Sequence, residues 1–456
     1  MKYPSTAWGR IGLPLLLFPC LIVIMTLCIA PSTARYCAER SCCPGRSDDC
    51  HMPYPALVPN TRCYCDQFCN RTRTDCCPDF WGHCLGIEPP VPIELGTCCH
   101  GGQDIDEGKS IQVNCNQCFC KKLLYGFYGF ECESTTCLIQ PEVAERVNVN
   151  EIGWTAANYS EFWGMTLEEG MQFRLGTMKP TPIVEAMNEI QMDAAALDIP
   201  DEFDAREKWL TLRDDIYNQG DCASSWAVST ASVASDRLAI QSNGTIAMAL
   251  SPQHLLSCNI RRQQGCHGGH LDRAWWYLRK KGVVTGDCYP YKSGMSSDMK
   301  MDKGSCYIRS HGTSMCPKEQ QPSDRYFSTP PYRISENEEE IQAEILMNGP
   351  VQAVLHVQED FFMYRKGVYR HSKMAAKDNQ KAAGWHSVKI LGWGVDRTLG
   401  KPMKYWLAAN SWSKRWGEDG YFRILRGKNE CQIESFVVGV WGKVDADMMN
   451  GNDVPF

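Results

Sequence analysis

Twenty-six cysteines, gathered in a few short stretches, constrain this chain of 456 residues more than any other feature. Two of them, Cys20 and Cys28, lie in an apolar N-terminal run, and the other 24 form three groups. Ten lie between Cys37 and Cys84, seven between Cys98 and Cys137, and seven between Cys222 and Cys431. Such density in short segments is typical of disulfide-stapled modules from an oxidising compartment.

Zinc binding is the alternative explanation for clustered cysteines. Structural zinc sites need paired, well-separated ligands, whereas cysteines are directly adjacent here at Cys42-Cys43, Cys76-Cys77 and Cys98-Cys99. The pattern therefore favours disulfides, and we expect neither a metal site nor a cofactor. Because the second group has an odd number of cysteines, Cys98 or Cys99 is expected to pair with another module or another chain.

The N-terminus indicates the secretory pathway. Lys2 and Arg10 precede an apolar run over residues 11–30, which ends in the small residues Pro-Ser-Thr-Ala. This pattern predicts a signal peptide over residues 1–34. An uncleaved signal anchor is the alternative, because the run approaches the ~20 residues that a membrane span needs. Prolines interrupt the run, which favours cleavage, and no later stretch predicts a membrane span.

Charge and sequons agree with an extracellular protein. The chain has 47 lysines and arginines against 53 acidic residues, a net charge of −6, so nothing predicts a nucleic-acid partner. Local basic patches that bind acidic glycans stay possible at this composition. Asn70, Asn158 and Asn243 each begin an Asn-X-Ser/Thr sequon and are the predicted glycosylation sites.

Residues 35–86 are too poor in periodic apolar residues to build a core, so disulfides must hold them together. The spacing Cys63-Tyr-Cys65-Asp-Gln-Phe-Cys69, followed by Cys76-Cys77 and Cys84, resembles a somatomedin B domain. The cysteines from 42 to 50 exceed the usual number, so the usual pairing is not carried over. The resemblance implies protein binding at cell surfaces and in matrix; a simple disulfide spacer is the alternative.

Two further segments follow a proline-rich linker. Residues 94–139 contain Cys115-Asn-Gln-Cys118-Phe-Cys120 and resemble a von Willebrand factor type C module, which recurs in matrix proteins. Residues 140–199 lack cysteine, have helical apolar spacing near their start, and are similar to the pro-segment of cathepsin B-like peptidases. The resemblance implies a segment that runs backwards along the active-site cleft and covers it if it stays attached.

Residues 200–445 resemble cathepsin B of the papain family, and residues 446–456 form a tail. The decisive string is Gln219-Gly-Asp-Cys-Ala-Ser-Ser225-Trp226-Ala. The resemblance makes Gln219 the oxyanion donor and Trp226 a cleft residue, and Ser225 stands where the family has its nucleophilic cysteine. His386 matches the catalytic histidine and Asn410 the asparagine that orients it.

Other cleft and disulfide positions follow from the same resemblance. Trp412 is expected to shield the asparagine, and Gly268 and Gly269 to hydrogen-bond an extended peptide, where glycine lets two backbones approach. The resemblance implies a disulfide between Cys222 and Cys266. It also implies that four further cysteines are disulfide-bonded: Cys258, Cys288, Cys306 and Cys316. The histidine pair of the cathepsin B occluding loop is missing, so its dipeptidase role is not carried over.

The serine at position 225 argues against catalysis. The sequence predicts an amphipathic helix from Ser225 to a C-cap near Asn243 and Gly244. A cysteine thiolate at a helix N-terminus beside an imidazolium reaches a pKa of ~3–4, whereas a serine hydroxyl is far too weak an acid to form that ion pair. Serine needs a base backed by an acidic third group, and the third group here is the neutral Asn410.

We therefore expect an α+β chain with a papain-like two-lobed fold, with a helical left lobe and a β-barrel-like right lobe behind small disulfide modules and a pro-segment. The order of these parts resembles the tubulointerstitial nephritis antigen family. That resemblance implies a secreted, non-catalytic basement-membrane glycoprotein that engages laminin, collagen IV and integrins, although the chain contains no Arg-Gly-Asp tripeptide. The alternatives are a decoy that binds peptides or proteases through the cleft, and a hydrolase that uses Ser225.

Overall fold

The structure is a computed structural model that describes most of the chain after residue 35. The described residues are 36–53, 62–69, 76–87, 96–122, 128–187, 189–295, 301–308, 316, 325–372, 384–398 and 400–444. The predicted signal peptide, the C-terminal tail and the sequon at Asn70 lie outside them. Within them, no helix is long and apolar enough to cross a membrane.

The chain divides into two compact units. One comprises residues 1–112 and 117–133, and the other residues 113–116 and 134–456. The helices are α1 Cys37–Arg40, α2 Pro141–Val149, α3 Leu167–Arg174, α4 Pro182–Glu185, α5 Ala205–Lys208, α6 Ser225–Gln241, α7 Pro252–Cys258, α8 Leu271–Lys281 and α9 Glu338–Asn348. Single turns of other helix types lie at Trp81–Leu85, Ala194–Ala196, Glu359–Met363 and Glu430–Gln432.

The strands are mostly short outside the peptidase-like half. They are β1 His51–Pro53, β2 Arg62–Tyr64, β3 Thr97–His100, β4 Gln103–Asp106, β5 Ser110–Val113, β6 Asn116–Lys122, β7 Tyr128–Cys132, β8 Trp154–Ala156, β9 Glu189–Ile190, β10 Phe203–Asp204, β11 Phe327–Ser328, β12 Tyr332–Ile334, β13 Val351–Val357, β14 Tyr364–Tyr369, β15 Gly384–Asp396, β16 Met403–Ala409, β17 Tyr421–Leu425, β18 Val437–Gly439 and β19 Gly442–Lys443.

Disulfides form much of the interior of the first unit. Its bonds are Cys37–Cys65, Cys42–Cys84, Cys43–Cys50, Cys63–Cys77, Cys98–Cys120 and Cys118–Cys132. Phe80 and Trp81 pack against the buried cysteines of the first module. Among the described residues, the one group of side chains with metal-ligand spacing is made of cysteines that these disulfides already use. Cys99 forms no disulfide within the described part of the chain.

The second unit contains a ten-stranded sheet in the order β8-β14-β17-β16-β15-β13-β18-β12-β9, with β10 paired to β15. Strand β15 lies at its centre and is buried over most of its length, as its nearly continuous apolar sequence requires. The edge strands β8 and β9 come from the predicted pro-segment and pair with β14 and β12. The pro-segment therefore extends the sheet at both ends.

The helical lobe packs around α6. Fourteen of the seventeen residues of this helix are buried, polar residues among them. The prediction of an amphipathic helix is therefore wrong, because α6 lies inside the lobe and has no broad solvent face. It ends at Gln241, and Asn243 and Gly244 follow in left-handed conformation. The expected C-cap position is therefore correct.

The pro-segment shares the core of the sheet lobe. Val143, Val147, Trp154 and Phe162 are buried in the same apolar cluster as Trp412 and its neighbours. Helix α3 begins with a capping box, in which the Thr166 hydroxyl accepts from the Glu169 amide and the Glu169 carboxylate accepts from the Thr166 amide. This cap fixes where α3 begins, one helix length before the chain enters the cleft.

Candidate active-site cleft

Ser225 is the first residue of α6 and is fully buried. The preceding loop is fixed by the disulfide between Cys222 and Cys266, whose Cα atoms lie 4.6 Å apart. Two more disulfides, Cys258–Cys306 and Cys288–Cys316, hold the insertion that follows. The side chain at 225 thus stands at a helix N-terminus, where the partial positive charge would stabilise a thiolate. A serine hydroxyl gains little from that position because it stays protonated.

His386 and Asn410 form the pair that the sequence predicts. The Nε2 atom of His386 lies 2.7 Å from the Asn410 amide oxygen, and the Trp412 ring packs 5.1 Å from the imidazole. Burial lowers the pKa of His386 to about 4. The histidine is therefore neutral at physiological pH. Its Nδ1 atom, the one left to face a nucleophile, has no hydrogen-bond partner among the described residues.

Six residues of the pro-segment, 173–178, cross this site, and we call them the strap. The side-chain amide of Gln219 donates to the carbonyls of Leu175 (2.9 Å) and Phe173 (3.2 Å). The backbone N–H of Ser225 also points at the Leu175 carbonyl, at 3.5 Å. These two donors are the groups that would stabilise an oxyanion in a peptidase. In this chain, the carbonyl oxygen of Leu175 occupies the position that the oxyanion would take.

Of the two glycines predicted to bond an extended peptide, Gly269 does so, whereas the N–H of Gly268 donates to the Gly265 carbonyl within its own turn at 3.2 Å. The N–H of Gly269 donates to the Gly176 carbonyl and the N–H of Met178 donates to the Gly269 carbonyl, both at 2.9 Å. Gly176 has a φ of +128°, and a Cβ atom there would collide with the backbone of Ala223. A Cβ on Gly269 would meet the ring of Trp226. The close approach of these backbones therefore requires glycine on both sides.

A chain of buried hydroxyls joins the strap to the site. The Thr177 hydroxyl lies 2.9 Å from the Ser225 hydroxyl and donates to Ser387 at 2.7 Å. Ser387 in turn lies 2.8 Å from the Ser229 hydroxyl, which accepts from the side-chain amide of Gln352. The Ser225 hydroxyl is thus hydrogen-bonded to a threonine of the pro-segment, while Nδ1 of His386 has no hydrogen-bond partner among the described residues.

Further contacts anchor the strap at its start. The carbonyl of Arg174 accepts from the indole N–H of Trp412 at 2.6 Å, and its guanidinium pairs with Asp221 at 2.9 Å. Trp412, predicted to shield Asn410, therefore also holds the pro-segment. The remaining predicted surface sites, Asn158 and Asn243, are exposed. Neither asparagine lies in a helix or strand: Asn158 precedes α3 and Asn243 follows α6.

Sequence reasoning missed the hydroxyl chain. Thr177 lies in an irregular segment with no periodic pattern, so nothing in the sequence marks its side chain as buried. Ser387 did offer a signal, because it is one of the few polar residues in the otherwise apolar strand β15. A buried polar residue in such a strand needs a hydrogen-bond partner, and Thr177 and Ser229 supply it.

Comparison with known proteins agrees with this geometry. The family model described as "Papain family cysteine protease" matches residues 199–441. A protein of Mus musculus called "Tubulointerstitial nephritis antigen-like" is 47% identical over 92% of this chain and 91% of its own length. The chain belongs to the tubulointerstitial nephritis antigen group of the papain family. Human "Tubulointerstitial nephritis antigen" is 44% identical over 90% of this chain and 87% of its own.

The fold of this papain-family domain is also similar to a solved structure. The solved structure "proCathepsin B S9 from Trypanosoma congolense" superposes with a TM-score of 0.57 at 30% identity. The match covers 67% of this chain and 99% of that one. The α+β papain-like fold is thereby confirmed.

Proposed function

We propose that this chain is a secreted, non-catalytic glycoprotein of the extracellular matrix, and that its papain-family domain is a pseudopeptidase closed by its own pro-segment. Two observations argue against catalysis: the Ser225 hydroxyl is hydrogen-bonded to Thr177 of the strap, and the imidazole that would have to accept its proton is a weak base, with a pKa of about 4, oriented by a neutral amide. Without an acidic third group, nothing stabilises the imidazolium that would form during attack.

Two separate obstacles therefore oppose peptide hydrolysis. One is chemical, because a serine with a His-Asn pair lacks the ion pair that activates a cysteine. The other is steric, because the Leu175 carbonyl lies at the oxyanion donors. An experiment on the proposal must separate the two.

The test compares the purified wild type with Ser225→Ala and Gly176→Ala in a fluorogenic peptide assay at neutral and mildly acidic pH. Gly176→Ala forces the strap away from Ala223 and so opens the cleft without touching the catalytic positions. All three proteins are expected to be inactive. Hydrolysis by Gly176→Ala that Ser225→Ala abolishes in the double variant would establish a serine peptidase and refute the proposal.

The matrix role rests on the likeness of the whole chain to its relatives and on its disulfide-rich N-terminal modules. Laminin, collagen IV and integrins are the proposed partners. The test is solid-phase binding of the secreted full chain to laminin and collagen IV, with an integrin ectodomain as a third ligand. We expect the isolated residues 35–139 to compete with the full chain. Competition by residues 200–456 alone would place the partner site on the peptidase-like half.

A further inference from the structure

The loop before α8 and the solvent face of that helix carry an unusual concentration of positive charge. Residues 261–281 contain six lysines and arginines and one acidic residue, whereas the whole chain has a net charge of −6. Gly268 and Gly269 of this segment contact the strap, but none of its six lysines and arginines takes part in the strap contacts described above. Their charge therefore needs an explanation of its own.

Helix α8 separates its apolar and basic residues onto opposite faces. Leu271, Ala274, Trp275 and Leu278 are buried in the helical lobe. Arg273, Trp276 and Lys280 follow one another at i, i+3 and i+7 on the opposite face, and Trp276 is 42% exposed. Seven residues of helix span about 10 Å. The helix thus presents two cations with an exposed indole between them.

The preceding loop is fixed beside the first turn of this helix. The side-chain amide of Asn259 donates to the Arg273 carbonyl at 3.2 Å, and Gln263 exchanges two hydrogen bonds with the backbone of His270. Arg261 and Arg262 lie between these two attachments and are exposed. The backbone of Arg261 and Arg262 is therefore held near α8, although their side chains carry the same charge as the basic residues of that helix.

Lys303 lies against the same loop at Gly265. Its side chain lies against Gly265, where a Cβ atom would come within 2.8 Å of the lysine Cδ. Its carbonyl accepts from Ser257, one residue before the disulfide between Cys258 and Cys306. We call Arg261, Arg262, Arg273, Trp276, Lys280 and Lys303 together the basic face.

Most of this charge is not neutralised by the protein. Within the part of the chain that the structure describes, Arg261, Arg262, Lys280 and Lys303 pair with no carboxylate. Arg273 has only its exposed neighbour Asp272, at 3.4 Å, and such a pair contributes little. Cations that are held close together without counter-charges repel one another and so destabilise the fold. An anionic ligand that binds them removes this repulsion.

We propose that the basic face binds a sulfated glycosaminoglycan of the heparin type. The arginine forks match the oxygens of sulfate and carboxylate groups, and the exposed indole of Trp276 offers a flat apolar surface to a sugar ring. A membrane surface would require a larger apolar insertion face than one indole. The choice of a glycan over a nucleic acid rests on the extracellular location proposed above, but not on the inactivity of Ser225.

The test measures the affinity of the secreted full chain for immobilised heparin at about 0.15 M salt and over a salt series. Changing Arg261, Arg262, Arg273 and Lys280 to glutamine is expected to weaken binding at least about tenfold and to flatten the salt dependence. The matched control changes Arg365, Lys366, Lys401 and Lys414 to glutamine. These four residues are exposed elsewhere on the same unit, so net charge is equal and heparin affinity should stay within about twofold of wild type.

Trp276 gives an independent readout. Trp276→Ala is expected to weaken heparin binding a few-fold without changing its salt dependence, and Trp276→Phe to restore most of it, because stacking and not charge is altered. Desulfated heparin should bind poorly. Equal loss in the control variant, or unchanged binding in the basic-face variant, would refute the site. DNA or phosphatidylserine vesicles that bind as tightly through the same four residues would refute the assignment to a sulfated glycan.

Discussion

The side-chain hydroxyls of Ser225 and Thr177 lie 2.9 Å apart, and this contact joins the first residue of α6 to the strap. In a peptidase the residue at 225 would face the imidazole. Here the hydroxyl of Ser225 is hydrogen-bonded to the hydroxyl of Thr177 instead, and the Thr177 hydroxyl donates to Ser387. Ser225, which stands at the position of the family's nucleophile, is therefore one of the residues that hold the pro-segment in place.

The first prediction removes this link. Thr177→Val keeps the shape of the side chain but leaves the buried hydroxyls of Ser225 and Ser387 each with one partner fewer. Because unsatisfied buried polar groups are costly, the free energy of unfolding should fall by about 1–2 kcal/mol. Urea denaturation followed by tryptophan fluorescence measures it. Thr211→Val, at an exposed position, is the control and should change stability by less than about 0.5 kcal/mol.

The second prediction restores the cysteine. Ser225→Cys alone should stay unlabelled by thiol-directed active-site probes, because residue 225 is fully buried beneath the strap. The double variant Ser225→Cys/Gly176→Ala should label, because an alanine at 176 collides with the Ala223 backbone and moves the strap. Labelling is followed by intact-protein mass spectrometry at mildly acidic pH.

Two results would contradict that reasoning. Equal labelling of the single and double variants would mean that the strap does not protect the site. Absence of labelling in the double variant would mean that His386 and Asn410 no longer activate a thiol there, since the N-terminus of α6 and an imidazolium are both needed to stabilise the thiolate.

The sequence alone identifies the four positions that match the family's catalytic residues, but it identifies only part of the contacts that close the cleft. Gln219, Ser225, His386 and Asn410 stand in short strings whose residues are fixed by packing and chemistry together, so the sequence identifies each one. The strap follows the path that the pro-segment resemblance implies. Its side-chain contacts depend on where an irregular segment places Thr177 in three dimensions, and no local pattern encodes that.

Helix α6 shows a second limit. Its small and polar residues, among them Ser229, Thr230 and Ser235, suggest a solvent face, yet all three are buried. Their hydroxyls donate to carbonyls one turn earlier in the helix, at 2.7 Å each. A serine or threonine that bonds its own helix satisfies its polar group inside a core, so hydrophobic periodicity misjudged the burial of this helix.

The third prediction concerns acid. Burial holds the pKa of His386 at about 4, below its ordinary value of 6.5. The unfolded chain therefore binds a proton that the folded chain does not, and stability is lost as the pH falls from about 6.5 towards 4. This histidine can contribute at most about 3 kcal/mol to that loss. Urea midpoints of the wild type and of His386→Gln across this range measure it.

His386→Gln should flatten the pH dependence of stability, although it lowers stability at neutral pH by disturbing Asn410. His254, whose pKa burial lowers to about 3, continues to act in the same direction in the variant. His371 acts oppositely, because Asp360 raises its pKa. An unchanged slope in the variant would show that His386 is not the buried neutral group described above.

The last prediction is that the pro-segment stays attached. Residues 189–198 are largely exposed, so a protease can reach the connection to the peptidase-like half. Strands β8 and β9 nevertheless pair at the two ends of the sheet, and Val143, Val147 and Phe162 share its core. Removing them would expose apolar surface that the folded domain now buries. On the proposal that this domain is a pseudopeptidase, the chain also does not cut itself.

Mass spectrometry of the secreted protein should therefore find peptides that span residues 190–205 in an intact chain. A protease site introduced at Ala195-Ala196 gives the sharper version of the test. After cleavage there, the two fragments should co-elute in size-exclusion chromatography and separate only in denaturant, because strand pairing and the shared core hold them together. Spontaneous dissociation of the fragments at neutral pH would show that the strap is a removable cover, and would make a peptide-binding role for the open cleft the better explanation.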